Sequence, residues 1–285
     1  MILTKQIFGA NVLRLLLVSI LLLNLLAVNT SQAQQSHTSN TNDQTNKPLR
    51  VAVAANFTPV LKVLLKDFTS QTGINTQVIS GASGAMFLQI KYGAPFDIFL
   101  SADSRRPKEL EQAGYALKGS RKTYAIGQLA LYSSMNNSNT NSLVQLNKPP
   151  ARFAIANPDI APYGKAAKEA LTHLDLWQVY EPRLVKGINI GQTFTQLRSK
   201  AVASGIVANS QLVLNNLSGI IIPSSYHQAI EQQLVILKVS EQQVAAEKLS
   251  HFLLSSQSQK RITSYGYAQR KQSAPEKALS ESMAR

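Results

Sequence analysis

Residues 49–73, LRVAVAANFTPVLKVLLKDFTSQTG, decide the fold of this chain. Apolar side chains alternate at positions 49, 51 and 53, which predicts a β-strand. A helix follows, because Thr58 offers a capping hydroxyl, Pro59 suits a first helical turn and Gly73 provides a stop. The apolar stripe of this helix comprises Leu61, Leu64, Leu65 and Phe68. The stretch therefore reads as a strand, a turn and a helix.

Strand and helix signals alternate along the rest of the chain. This alternation predicts an α/β fold in which mostly parallel sheets are flanked by helices. In such sheets, ligands bind beyond the carboxyl ends of the strands, where helices begin. The further predicted strands cover residues 74–80, 96–101, 128–133, 153–156, 206–208, 220–222 and 234–239. The further predicted helices cover residues 85–92, 107–113, 165–174, 192–203, 242–254 and 257–265.

The first 33 residues have the layout of a secretory signal peptide. Lys5 and Arg14 are the charged residues there, an apolar run follows at 15–28, and small residues precede the expected cleavage after Ala33. The run is shorter than the ~20 residues of a membrane-spanning helix. We therefore predict export to the periplasm with removal of residues 1–33, and an uncut signal anchor is the alternative.

Polar segments flank the remaining chain. Residues 34–48 are rich in Gln, Ser, Thr and Asn, which predicts a flexible leader, and residues 272–285 have the character of a polar tail. The sequence contains no cysteine, which excludes disulfides, thiolate metal sites, a cysteine nucleophile and a lipid-anchored N-terminal cysteine. The hydrophobic core must therefore stabilise the fold without disulfide support.

The chain is strongly basic, with a net charge of +14. Removal of residues 1–33 would lower this charge to +12, because that segment contains Lys5 and Arg14 and no acid. The basic residues are scattered, so we predict no nucleic-acid partner. A diffuse positive field that raises the encounter rate with anions is one interpretation, and plain solubility is the other.

Four segments share one design, in which a strand end is followed by a small or polar residue and a helix start. A helix N-terminus exposes free backbone N–H groups and carries a partial positive charge. Several such ends that converge on one point can bind an anion without any charged side chain. The four segments are AANFTP (54–59), GASGA (81–85), APYGK (161–165) and NIGQT (189–193).

Side chains in these turns can bind a ligand or serve the structure alone. The hydroxyl of Ser83, the amide of Asn56 and the phenol or backbone of Tyr163 are candidate donors to an anion. The structural alternatives are a helix cap for Ser83, a strand-end partner for Asn56, an aromatic lid for Tyr163 and interior packing for Ile190. The occurrence of four such turns in one chain of alternating strands and helices favours the binding interpretation.

The segment GAPFDIFLSAD at 93–103, together with AANF at 54–57 and GASG at 81–84, resembles the periplasmic molybdate-binding protein family. Further segments resemble this family in the same order, and the resemblance covers residues 49–268. These segments are FAIANP (153–158), PYGKAAKEAL (162–171) and GIVA (205–208).

The resemblance implies a type II periplasmic binding protein fold with two lobes and two crossing hinge strands. Lobe I would contain residues 49–127 and 235–271, and lobe II would contain residues 128–234. The crossing strands would lie near 126–131 and 235–239. A ligand in the cleft would be buried when the hinge closes.

The resemblance also implies an oxyanion site built by both lobes. Asn56 and Ser83 would bind from lobe I, and Tyr163 and Ile190 would bind from lobe II, with Ile190 using its backbone N–H. Some members of the family have an oxyanion-binding tyrosine where this chain has Ala208. Tyr163 is therefore the candidate for the missing hydroxyl. No side chain would contact the metal directly, because molybdate is held through its oxygens.

The implied function is capture of molybdate, and also of tungstate, by a monomer without a cofactor that serves the permease of an ABC transporter. Neutral donors favour a fully deprotonated oxyanion, because the O–H of a protonated one would lack an acceptor at a cost of ~1–3 kcal/mol. A binding protein for another anion, such as sulfate or a phosphonate, is the alternative within this class.

An enzyme is the alternative class, since two-lobed binding folds occasionally host dehydratases or other lyases. Acid–base chemistry needs a placed histidine or carboxylate, and no histidine falls in the four turns. Asp97 is expected to tie a strand end, and Asp103 is expected to cap the next helix. The sequence has no GxSxG, HExxH or phosphate-loop motif. We therefore predict a binding protein rather than an enzyme.

Overall fold

The computed structural model describes residues 47–134 and 142–270. The predicted signal peptide (1–33), the leader up to residue 46 and the polar tail (272–285) lie outside these residues. No helix in the described ranges is long and apolar enough to cross a membrane.

The predicted strand, turn and helix at residues 49–73 are confirmed. Strand β1 (Leu49–Ala54) is almost entirely buried, and helix α1 (Thr58–Thr72) buries the whole predicted apolar stripe. Gly73 ends the helix with a φ of 71°, and its N–H bonds to the carbonyl of Thr69. This left-handed conformation favours glycine, as expected for a helix C-terminus.

The first sheet and its helices form lobe I. Written from one edge, the strands are β2 (Thr76–Gly81), β1, β3 (Ile98–Leu100), β10 (Ile230–Ile236) and β4 (Lys122–Gly127). Strand β1 lies between two parallel neighbours, and β10 runs antiparallel to the strands on both of its sides. The helices are α1, α2 (Ser83–Lys91), α3 (Arg105–Gln112), α8 (Gln243–Leu254) and α9 (Ser256–Ser264).

The second sheet and its helices form lobe II. As in lobe I, the sheet has two parallel strand pairs at one side and two antiparallel pairs at the other. Written from one edge, the strands are β7 (Leu184–Gly187), β6 (Phe153–Ala156), β8 (Ser204–Ala208), β5 (Leu129–Ser133) and β9 (Ile220–Ile221). The helices are α4 (Pro162–His173), α5 (Trp177–Tyr180), α6 (Ile190–Arg198) and α7 (Asn209–Val213). Short 3-10 turns cover Leu143–Asn147, Glu181–Arg183 and Ser224–Tyr226.

Both sheets are mixed, but four of the five strands in each run in one direction, so the mostly parallel sheets that the sequence predicts are confirmed. The reversed strand in each sheet, β10 or β5, is the one that enters the lobe from a crossing. The first crossing lies at Gln128, between β4 and β5, inside the predicted segment 126–131. Two lobes of the type II fold are thereby confirmed.

The return to lobe I comes earlier than the sequence predicts. Residues 230–234, predicted to belong to lobe II, are the first part of β10 and pair with β4 of lobe I from Ile230 onward. The sequence does not predict this part of the strand, because the polar residues 231–233 interrupt its apolar pattern. The second crossing therefore precedes Ile230 instead of lying at 235–239.

Candidate anion-binding site

A small cavity lies between the two lobes, where helix N-termini of both lobes meet. No charged side chain and no histidine is among the described residues that line it. The lining residues are Ala54, Ala55, Asn56, Gly81, Ala82, Ser83, Ala102, Ala161, Pro162, Tyr163, Asn189 and Ile190.

All four predicted site residues line this cavity. Ser83 is the first residue of α2, Tyr163 the second residue of α4 and Ile190 the first residue of α6, and Asn56 lies in the turn before α1. Within residues 47–134 and 142–270, their four backbone N–H groups have no acceptor. The first N–H groups of a helix have no partner inside that helix. The cavity therefore gathers four unpaired donors from four separate turns.

The hydroxyl of Ser83 adds a fifth donor. Ala82 occupies the N-cap of α2 and makes no side-chain cap bond, so the helix-cap interpretation of Ser83 is wrong. Instead, Ser83 Oγ accepts a hydrogen bond from the N–H of Ala102 at 2.9 Å. In the described part of the chain its own proton has no acceptor, and it is free for a ligand.

The amide of Asn56 is committed to the protein. Its Nδ2 donates to Gln232 Oε1 at 2.9 Å and to Tyr267 Oη at 3.1 Å. The hydroxyl of Tyr267 in turn donates to the backbone carbonyl of Asn56 at 3.1 Å. Asn56 therefore presents its backbone N–H to the cavity and not the amide donor that the sequence suggests.

The hydroxyl of Tyr163 lies against the hinge. Gln232 Nε2 donates to it at 3.1 Å, and a Cβ at Gly127 would come within 2.4 Å of it. Burial raises the pKa of Tyr163 well above its ordinary value, Tyr267 adds to this effect, and the hydrogen bond from Gln232 opposes it. Tyr163 is therefore a neutral phenol held by the protein, and its backbone N–H is the donor that it offers the cavity.

Two side chains fix the N-terminus of α6, which carries the N–H of Ile190. Asn189 caps this helix by accepting a hydrogen bond from the N–H of Gln192 at 2.9 Å. The buried amide of Gln211 donates to the carbonyl of Ile190 at 3.0 Å and accepts from the N–H of Ala208 at 3.2 Å. Ala208 does not line the cavity, so its position serves to anchor Gln211.

The lobes are closed over the cavity. The N–H of Gly84 in lobe I donates to the carbonyl of Ile160 in lobe II at 2.9 Å. A Cβ at Gly84 would lie 2.8 Å from this carbonyl oxygen, so glycine is needed for this approach. Closure therefore depends on backbone contacts as well as on any ligand.

The carboxylates considered for acid–base chemistry have structural partners. Asp97 accepts from the N–H of Arg50 at 2.7 Å and from Ser240 Oγ at 2.6 Å. Asp103 accepts from the N–H of Arg106 at 3.0 Å at the start of α3 and forms an ion pair with its guanidinium. These contacts confirm the strand tie expected for Asp97, while Asp103 pairs an N–H of the first turn of α3 from the residue before its N-cap, Ser104.

Two mixed sheets that are joined by two crossings and enclose a cavity define a two-lobed binding protein of type II. Residues 49–268 match the family described as bacterial extracellular solute-binding protein. The chain is 37% identical to the molybdate-binding protein ModA of Rhodobacter capsulatus, over 76% of this chain and 86% of that protein. It is 36% identical to ModA of Azotobacter vinelandii, over 77% of this chain and 89% of that protein.

A solved structure supports the same assignment. The periplasmic molybdate-binding protein of Azotobacter vinelandii superposes with a TM-score of 0.75 at 36% identity, covering 78% of this chain and 100% of that chain. The chain therefore belongs to the periplasmic molybdate-binding proteins, within the bacterial extracellular solute-binding family. The resemblance found in the sequence is confirmed.

Sequence reasoning missed the buried partners of the site. Gln232 and Gln211 hold the site residues in place, yet neither lies in the four turns. The available signal was the pair Gln232 and Gln233, since two successive polar residues inside an otherwise apolar strand need buried partners.

Proposed function

We propose that this protein captures molybdate, and also tungstate, as a dianion between its lobes and delivers it to the permease of an ABC transporter. The observation that carries the proposal is the set of four unpaired N–H groups and one free hydroxyl in a cavity without charged side chains. The relatives that are 36–37% identical and named for molybdate support this choice of ligand.

The donors suit a tetrahedral dianion for electrostatic reasons. Hydrogen bonds from neutral N–H groups to an ionised acceptor are shorter and stronger than bonds between neutral partners. The N-termini of α2, α4 and α6 add partial positive charge at the same place. A dianion with four accepting oxygens can therefore replace its lost water without any lysine or arginine.

The same donors select against protonated anions. The cavity already contains donors that have no acceptor among the described residues, and hydrogen phosphate would bring a further proton among them. An O–H without an acceptor costs ~1–3 kcal/mol, which corresponds to about 5- to 150-fold in affinity. Sulfate carries no such proton, so cavity size must discriminate between sulfate and molybdate.

Capture would proceed by closure of the open lobes around the anion, in the periplasm and as a monomer. The N–H of Gly84 would then meet the carbonyl of Ile160, which shuts the cavity and excludes water. Release would require the permease to separate the lobes. Export would depend on residues 1–33, which lie outside the described residues.

Isothermal titration calorimetry with molybdate, tungstate, sulfate and phosphate tests the proposal. We expect micromolar or tighter binding of molybdate and tungstate, and at least tenfold weaker binding of sulfate and phosphate. Tight binding of sulfate without binding of molybdate would refute the proposed ligand.

A further inference from the structure

A buried polar cluster lies on the hinge side of the cavity. Its three members are Gln232, Asn56 and Tyr163, which we call the hinge latch. Each is no more than 2% exposed. Buried polar groups of this kind are costly unless they are hydrogen-bonded. The closed protein must therefore provide hydrogen-bond partners for these three side chains.

One bond of the hinge latch joins the two lobes. Gln232 belongs to β10 of lobe I, and its Nε2 donates to the hydroxyl of Tyr163 on α4 of lobe II at 3.1 Å. Its Oε1 accepts from Asn56 Nδ2 at 2.9 Å and lies 3.1 Å from the hydroxyl of Tyr124, whose proton it shares with the carbonyl of Ser101 at 3.0 Å. Because Asn56 donates to the oxygen, the NH₂ end of the amide faces lobe II.

A strand irregularity lies beside this amide. The pairing of β10 with β4 shifts register between Gln232 and Gln233, whose partners are Ala125 and Thr123. Tyr124 is left as the extra residue of β4. Such bulges redirect side chains and commonly occur beside functional sites. Gln232 and Gln233 are both buried, together with Leu234, Val235 and Ile236, because β10 lies inside the sheet between β3 and β4.

The space around the Tyr163 hydroxyl depends on a glycine. Gly127, the last residue of β4, leaves the space that this hydroxyl fills, since a Cβ there would be 2.4 Å from it. In the described part of the chain, Asn56 Oδ1 is buried without a hydrogen-bond partner.

We propose that Gln232 is a positioning residue that holds Asn56 in lobe I and engages Tyr163 of lobe II only when the lobes close. The latch stabilises the closed conformation before any ligand arrives. Apparent affinity rises with the fraction of protein that is already closed, so the latch strengthens anion binding without touching the anion. The effect on ligand affinity rests on the function proposed above, whereas the effect on closure does not.

Tyr163→Phe removes only the hydroxyl of the latch and keeps the backbone N–H that faces the cavity. Because one net hydrogen bond is lost, we expect molybdate to bind roughly 2- to 12-fold more weakly, with a faster dissociation rate. Tyr180→Phe is the matched control, since the Tyr180 hydroxyl bonds to Leu146 O at 2.9 Å within lobe II. This control should lose stability without a change in affinity.

A double-mutant cycle separates the latch from direct ligand contact. Gln232→Met and Tyr163→Phe should be non-additive in molybdate affinity, because either change breaks the same bond. Gln233→Met is the control, since Gln233 bonds to Thr123 and Arg121 inside lobe I. Additive effects would overturn the proposal, because they would assign the Tyr163 hydroxyl to the anion.

Small-angle X-ray scattering of the ligand-free proteins provides a readout that does not depend on the ligand. Tyr163→Phe and Gln232→Met should show a larger radius of gyration than the wild type, and Tyr180→Phe and Gln233→Met should not. If the latch variants scatter like their controls, the latch is refuted even if molybdate binds. If the wild type fails to bind molybdate but the scattering difference is present, the ligand proposal fails and the latch stands.

Discussion

Replacing Ser83 with alanine deletes a hydroxyl of the cavity whose proton has no acceptor among the described residues. The lost bond to a ligand oxygen should weaken molybdate binding by ~1–2 kcal/mol, or about 5- to 30-fold. The change also leaves the buried N–H of Ala102 without its acceptor, since Ser83 Oγ is 2.9 Å away in the wild type. Stability of the ligand-free protein should therefore fall as well, by ~1–3 kcal/mol.

Molybdate affinity by calorimetry and stability by thermal unfolding must be measured on the same variants, because the two are expected to fall for different reasons. Ser258→Ala is a suitable control, since Ser258 is a buried serine in the first turn of α9, remote in sequence from the four turns, and among the described residues its hydroxyl bonds only to Ser255. We expect this control to lose stability and keep its affinity. If Ser83→Ala behaves like the control, Ser83 has a structural role and does not donate to the anion.

Three further outcomes follow from the contacts. Gly84→Ala should weaken molybdate binding by about 5- to 150-fold, because its Cβ would press on the carbonyl of Ile160 and cost ~1–3 kcal/mol on closure; unchanged calorimetry would contradict this. Asp97→Asn should lower the free energy of unfolding by ~1–3 kcal/mol, because two donors lose an ionised partner, while affinity stays constant; loss of affinity with normal stability would contradict the structural role. Burial raises the pKa of Tyr163 and Tyr267 above the ordinary value of about 10. The folded protein thus retains protons that the unfolded chain releases, so stability should hold below pH 9 and decline above pH 10, and denaturant titrations that show rising stability there would contradict it.

Much of the fold could be predicted because local signals agree with the global structure. The alternating residues of β1 and the apolar stripe and glycine stop of α1 have the periodicity of their elements, and burial follows it. Site residues could be placed in four turns because helix N-termini in α/β sheets meet at one edge. The four predicted residues accordingly line one cavity.

The remaining features depend on contacts between distant segments. The start of β10 at Ile230 was mispredicted, because Glu231, Gln232 and Gln233 suppress the strand signal although two of them are buried. The direction of the Asn56 amide depends on Gln232, which is 176 residues away. No local pattern contains such a pairing, and sequence reasoning therefore assigned to the ligand an amide that the protein uses itself.

The central claim is that neutral donors of both lobes hold the anion, and a crystal structure of the molybdate complex tests it most directly. The anomalous signal of molybdenum should lie in the cavity lined by Asn56, Ser83, Tyr163 and Ile190. Its oxygens should lie within about 2.7–3.2 Å of the four backbone nitrogens, with no lysine or arginine in contact. Molybdenum bound elsewhere, or an oxygen held by a charged side chain, would contradict the claim.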